Sequence, residues 1–147
     1  MDILTIGLGT IGTTYSYLFN KAGHNVEHYI RKSSKKINIT ELNVDMLDGR
    51  NNKKGEHYTD TYKVNTHTKD NYDFIFISMP AGNIESVIET LNSNNIKGTI
   101  ILCCGIWEDK KYLEKIMQGR EYILGYPVAG GNIVDATLTC CVFDHFI

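Results

Sequence analysis

Apolar and polar positions along this chain follow two rhythms, and the rhythm changes at glycine-rich breaks. Ile3 to Ile6 is a short apolar run that predicts a buried strand. From Thr13 to Ala22 the spacing becomes helical, with Ile11, Tyr15, Leu18, Phe19 and Ala22 at i, i+4, i+7, i+8 and i+11. Gly23 stands where it ends that helix. Val26 to Ile30 predicts a second strand. Residues 35–71 carry no helical period. Ile37, Ile39, Leu42, Val44 and Met46 alternate with polar residues as a half-exposed strand does, 48–55 is a turn cluster, and Tyr58, Tyr62 and Val64 predict a returning strand. An antiparallel hairpin is therefore expected where a crossover helix would otherwise stand. Asp73 to Ser78 is a clear buried strand. A helix follows from about Asn83, with Ile84, Val87, Ile88 and Leu91 as its apolar stripe. The remainder predicts a strand over Thr99–Cys103, a short helix over Glu108–Met117, a strand over Tyr122–Tyr126, a glycine-rich loop over Pro127–Asn132 and a last strand over Ala136–Phe143.

The break after the first strand has a specific form. Gly7-Leu8-Gly9-Thr10-Ile11-Gly12 spells G-x-G-x-x-G between a strand and a helix, the dinucleotide fingerprint in its proper context. Gly7 permits the tight turn, Gly9 lets backbone approach a pyrophosphate, and Gly12 lets helix pack on strand. The helix N-terminus offers N–H groups and a positive dipole end to the phosphates. The fold class that follows is α/β, a Rossmann-type doubly wound, mainly parallel sheet with an antiparallel hairpin insertion, over one dinucleotide-binding domain spanning 1–147. Arg31 ends the second strand nineteen residues after Gly12, where NAD-binding versions place Asp or Glu. A guanidinium there, with Lys32 and Ser33 following, suits a 2′-phosphate and points to NADP(H), the alternative being a solvated charge at a strand end. Ligands of open parallel sheets lie beyond the carboxyl ends of strands. Met79 and Pro80 after one strand, and Cys104 and Gly105 after the next, are therefore candidate cofactor neighbours.

Composition narrows the classes. The 147 residues carry a formal net charge of −2, which argues against a nucleic-acid surface. No apolar run reaches the length of a membrane span, and the opening stretch reads as a strand, so neither a membrane partner nor a signal peptide is expected. A cytoplasmic protein is inferred. The four cysteines form two adjacent pairs, Cys103-Cys104 and Cys140-Cys141, without zinc-ligand spacing, and read as reduced, buried thiols in two strands, the alternative being a redox role. His28, His57 and His67 show no ligand spacing either and read as surface histidines. No metal site is expected.

With these elements laid out, the chain resembles the N-terminal domain of the ketopantoate reductase family. The resemblance rests on the glycine motif, on Ala22-Gly23-His24-Asn25-Val26, on Arg31, on Tyr72-Asp73-Phe74-Ile75-Phe76-Ile77 and on the Cys-Cys-Gly turn at 103–105. It implies NADPH-dependent reduction of a small 2-keto acid, with the nicotinamide between two domains. It also implies a helical C-terminal domain supplying a catalytic lysine and a carboxylate, and that domain is not among these 147 residues. Within the matching part, Met79-Pro80 stands where the family usually has a lysine, and Cys103-Cys104-Gly105 where it usually has Gln-Asn-Gly. Cys104, Tyr126 and Asn132 are the polar groups expected nearest the crevice, and no catalytic residue is assigned. Three readings stay open: an oxidoreductase acting alone or with a partner, a nucleotide-binding module without chemistry, and a structural domain. The apolar closing run Leu138–Phe143 reads as an exposed edge, so a homodimer is expected.

Overall fold

In a computed structural model, which describes residues 1–106 and 109–144, the chain forms nine strands and three α-helices among the described residues. β1 (Asp2–Ile6), α1 (Thr10–Lys21) and β2 (Asn25–Tyr29) open it. β3 (Glu41–Asp48) and β4 (Glu56–Lys63) follow, then β5 (Asn71–Ile77), a 3₁₀ turn at Ala81–Asn83 and α2 (Ile84–Ser93). β6 (Lys97–Leu102), α3 (Lys110–Met117), β7 (Tyr122–Leu124), β8 (Ala129–Val134) and β9 (Thr137–Val142) complete it.

The strands divide into two sheets. The first has the order β2-β1-β5-β6-β7 and is parallel throughout. Its strands are short apolar runs because both faces are covered near the centre. Ile84, Ile88 and Leu91 of α2 and Leu113, Ile116 and Met117 of α3 pack on one face around Leu4, Ile75, Ile77 and Ile100. α1 covers the other, where Tyr15 meets Ile3, Val26 and Phe76. Helices on both faces of a parallel sheet make this the doubly wound α/β arrangement. The hairpin is present too, with β3 and β4 antiparallel from Glu41↔Lys63 to Asp48↔Glu56.

Its surroundings differ from expectation. β3 also pairs in parallel with β9, and β9 pairs antiparallel with β8, giving a second sheet of order β4-β3-β9-β8. The stretch expected as a glycine-rich loop at 127–132 thus supplies most of a strand. The turn after it joins Val134 to Thr137 through Asp135 and Ala136 at φ 46° and 57°, a two-residue hairpin turn without the usual glycine. Leu138, Cys140 and Val142 are buried in this sheet's core, so the closing run is an interior strand and not the exposed edge read from its sequence. Ile37 and Ile39 are not in a strand. Their N–H groups bond back three residues, to Ser34 and Lys36, and they reach the core from consecutive turns.

α1 lies between the two sheets, touching β1 and β2 on one side and β8 and β9 on the other. Six successive residues, Gly12 to Tyr17, are therefore buried, which a helix with a single apolar stripe would not show. α1 also begins at Thr10, three residues earlier than its apolar period suggests, because Gly9 serves as its N-cap. α3 starts after Asp109, whose carboxylate accepts from the Tyr112 N–H at 3.0 Å; the expected start at Glu108 lies outside the described residues. Among the described residues, no helix is long and apolar enough to cross a membrane.

Candidate functional site

β1 and β2 end in register, with Ile6 beside Tyr29, so the turn at Gly7 and the segment from Arg31 emerge side by side. Gly7 donates its N–H to the Tyr29 carbonyl at 2.8 Å and turns with φ +81°, a conformation a side chain resists. Gly9 caps α1 with no side-chain hydrogen bond, and no acidic residue sits in the first turn. The leading N–H groups of a helix lack partners within it, and they carry the positive end of its dipole. A Cβ on Gly9 would meet only the Ser78 carbonyl oxygen, at 4.0 Å, so the space before it is open. A Cβ on Gly12 would press on Thr5 Cγ2 at 3.2 Å, because α1 lies close against β1. Ser16 donates to the Gly12 carbonyl at 2.8 Å, and its oxygen stands 2.6 Å from the Thr5 hydroxyl. Ser16 has spent its proton, so Thr5 donates to it. These two bonds anchor the first turn of the helix to the strand.

A cavity of about 400 Å³ opens at this end of the sheet, in the size range of small-molecule sites. Gly7, Leu8 and Gly9 form one wall and Arg31 another, and Met79 also reaches it. Thr10, Ile11 and Gly12 stand behind, as the first turn of α1. Lys32, Pro80, Cys104 and Gly105 do not line this cavity. Lys32, Pro80 and Gly105 are exposed, and Cys104 packs against the core under α2 and α3. Tyr126, 73% exposed, and Asn132 lie outside it as well.

Sequence reasoning missed two parts of the lining. Lys36 belongs to it, with Ser33 and Ser34. Ser34 donates its N–H to the Arg31 carbonyl at 2.9 Å, and the Ser34 hydroxyl accepts from the Lys36 N–H at 3.2 Å. This turn swings Lys36 back, and its Nζ donates to the Leu8 carbonyl at 2.7 Å. The basic run from Arg31 to Lys36 signalled that a second cation was available, but only the turn decides which lysine faces inward. The far wall is α2, through Asn83, Ser86, Val87 and Thr90. Its signal was present as polar residues at i and i+4 flanking the apolar stripe. The lining carries two cations, Arg31 and Lys36, and no carboxylate. The arrangement suits an anionic ligand with an apolar portion.

The thiols are poor reactants. Burial pushes Cys103 up to about 12 and Cys140 up to about 11, so both are protonated at neutral pH. All four cysteines are unbridged, but Cys103 and Cys104 stand past the end of β6 and not in a strand, and Cys104 and Cys141 are half-buried and not buried as expected. His57 and His67 are exposed, but His28 is fully buried, contrary to the surface reading. Its place on β2 turns it inward, against Tyr62 of the second sheet. Among the described residues no group of His, Cys, Asp and Glu is placed to hold a metal ion.

Several solved structures share this fold. D-mandelate dehydrogenase in a ternary structure with NADH and anilino(oxo)acetate aligns with a TM-score of 0.69 at 14% identity, over 99% of this chain and 46% of its own. The 2-dehydropantoate 2-reductase of Geobacter metallireducens aligns with a TM-score of 0.68 at 16% identity, over 96% and 46%. A dimeric ketopantoate reductase from Staphylococcus aureus aligns with a TM-score of 0.61 at 15% identity, over 96% and 44%. The chain thus spans less than half the length of each. No curated protein matches it. The family model for ketopantoate reductase PanE/ApbA matches residues 3–132, a span that holds the glycine turn, the Arg31–Lys36 segment and both walls of the cavity. The chain belongs to the ketopantoate reductase PanE/ApbA family, as an oxidoreductase-like Rossmann domain.

Proposed function

We propose that this chain binds a nicotinamide dinucleotide at the carboxyl ends of β1, β2 and β5, and prefers NADP(H). The observation that carries the reading is the pairing of Arg31 and Lys36 in a cavity without a carboxylate. Gly7, Leu8 and Gly9, with the first turn of α1 at Thr10, Ile11 and Gly12, take the pyrophosphate. Arg31, Ser33, Ser34 and Lys36 take the adenosine side and its 2′-phosphate, with Lys32 adding exposed charge nearby. Met79 of the lining takes the nicotinamide side, with Pro80, Cys104 and Gly105 next to it past the ends of β5 and β6 though outside the lining. D-mandelate dehydrogenase holds NADH on the same fold, so the phosphate preference stands on Arg31 and Lys36 rather than on the fold.

Reduction of a 2-keto acid needs a positioned hydride, a carboxylate-binding group and a proton donor together. The cavity supports the first of these. We infer that the chain is a cofactor-binding domain, 1–147, without complete catalytic machinery of its own. The second reading is an active or partner-dependent NADPH-dependent oxidoreductase acting on a small 2-keto acid, which the family membership favours. Four unbridged thiols fit a reducing compartment such as the cytoplasm.

Calorimetric titration with NADPH and NADH tests this. Losing a charged, hydrogen-bonded contact costs about 1.5–3 kcal/mol, so Arg31→Ala is expected to weaken NADPH binding about ten- to a hundredfold and leave NADH nearly unchanged. Equal native affinity for the two cofactors overturns the preference, and binding of neither overturns the site. NADPH absorbance followed with 2-keto acids is expected to show no saturable turnover, and turnover abolished by Gly9→Val would favour the enzyme.

A further inference from the structure

His28 sits on β2 with no exposure. A buried imidazole is costly unless both ring nitrogens are partnered. Nδ1 lies 2.9 Å from the Gly7 carbonyl oxygen, and Nε2 lies 2.8 Å from the Tyr62 hydroxyl. A carbonyl only accepts, so Nδ1 carries the hydrogen. Burial lowers the pKa and keeps the ring neutral, so Nε2 accepts and Tyr62 donates. The backbone of His28 is held as well. Its N–H donates to Asn65 at 2.7 Å, and its carbonyl accepts from His67 at 3.0 Å. Tyr62 comes from β4 and packs edge-on against both His28 and Tyr17 of α1.

Gly7 is the point where the chain leaves β1, and its N–H is already bound to Tyr29. With its carbonyl held by His28, both polar groups of the residue are fixed. The Gly7–Leu8 peptide is trans and planar, so its N–H points opposite to its carbonyl. The carbonyl faces His28, which is not in the cavity lining, whereas Gly7, Leu8 and Gly9 are. The Leu8 N–H therefore points away from His28, on a residue that lines the cavity.

We propose that His28, braced by Tyr62 of the second sheet, is a positioning residue for the nucleotide turn: it sets the Gly7–Leu8 peptide so that its N–H is presented to the cofactor phosphates. The inference rests on the dinucleotide reading above, and it gives the second sheet a part in cofactor binding. His28 touches no ligand itself.

The test uses two substitutions that divide the histidine's contacts. In His28→Asn the side-chain amide nitrogen replaces Nδ1 and keeps the donor to Gly7. In His28→Gln the amide reaches the Nε2 position and keeps only Tyr62. Both are expected to lower the melting temperature. Affinity for NADPH is expected to fall about tenfold in His28→Gln and to stay within about threefold of native in His28→Asn, the loss following the charge-free hydrogen bond to the turn. Affinity that falls in step with melting temperature in both variants, or is unchanged in a folded His28→Gln, overturns the proposal. Nitrogen-15 NMR of the native imidazole needs no variant. The Nδ1–H tautomer is expected, and the Nε2–H tautomer overturns the proposal even if both variants fail to fold. A native chain that shows the Nδ1–H tautomer but binds neither NADPH nor NADH overturns the dinucleotide reading, and the positioning role with it.

Discussion

Arg31 and His28 lie three residues apart on one segment and serve opposite surroundings. Arg31 is exposed at the cavity wall, and His28 is sealed between a glycine turn and a tyrosine. The residue scale shows where sequence reasoning holds. The place of Arg31 at the cavity wall was legible because the spacing from the glycine motif fixes a strand end, and the cavity opens at the strand ends. His28 was not, because alternation on β2 says which residues share a face but not that a second sheet covers it. The burial has a consequence for pH. The unfolded ring titrates near 6.5, and burial lowers the folded value. The unfolded chain thus binds the proton more readily, so this contribution to stability is complete above about pH 6.5 and is lost as pH falls below it. Denaturation midpoints measured from about pH 7 to 5 are expected to fall. His28→Asn is expected to lessen that fall, and an unchanged fall would assign it to other groups.

At the scale of elements, the least legible piece is the β8–β9 hairpin. Asp135 and Ala136 both have positive φ, yet the pair lacks the Asn-Gly or Asp-Gly signature of such turns. Gly130 and Gly131 then make the preceding strand read as a loop. Gly131 is needed because a Cβ there would collide with the Thr139 carbonyl, so close pairing and not a turn explains it. Ala136 in the left-handed region costs about 1–2 kcal/mol, partly offset on replacement by the greater freedom of glycine in the unfolded chain. Ala136→Gly is therefore expected to stabilise the chain by about 0.5–1 kcal/mol, read from chemical denaturation. A destabilised variant would mean that the turn is held by contacts of the alanine methyl. α1 was half legible. Its stripe at Ile11, Tyr15, Leu18 and Phe19 packs toward the parallel sheet, while Leu18 also touches the second sheet's core together with Tyr17.

At the scale of the whole molecule, one edge of the parallel sheet carries exposed apolar side chains among the described residues. β7 is the last strand of the parallel sheet, and Ile123 and Leu124 on it are 52% and 56% exposed, with Tyr126 beyond them at 73%. The exposed edge expected at the closing strand is absent, since β9 is interior, and of that run only Phe143 is an exposed large hydrophobic. Exposed apolar edges are commonly covered by another chain. Self-association as a homodimer through this edge is therefore expected. Light scattering is expected to return twice the 16.6 kDa chain mass at high concentration. Ile123→Lys is expected to shift the population to monomer without changing NADPH affinity. A native monomer at every concentration would remove this inference and leave the cofactor site untouched.

What the sequence determined by itself was local. Short apolar runs, a helical stripe and three glycines at fixed spacing specify a strand, a turn and a helix whose N-terminus is open to an anion, because backbone geometry and side-chain period act over a few residues. Arg31 followed from the same counting. What only the tertiary structure decided was which surfaces meet. A second sheet forms because β9 inserts beside β3, a pairing between residues about ninety positions apart that no local period encodes. That sheet buries the far side of α1 and turns His28 into a support for the glycine turn. Each of these depends on packing between distant segments, where the free energy comes from the partner's surface and not from the residue's own neighbours in the chain.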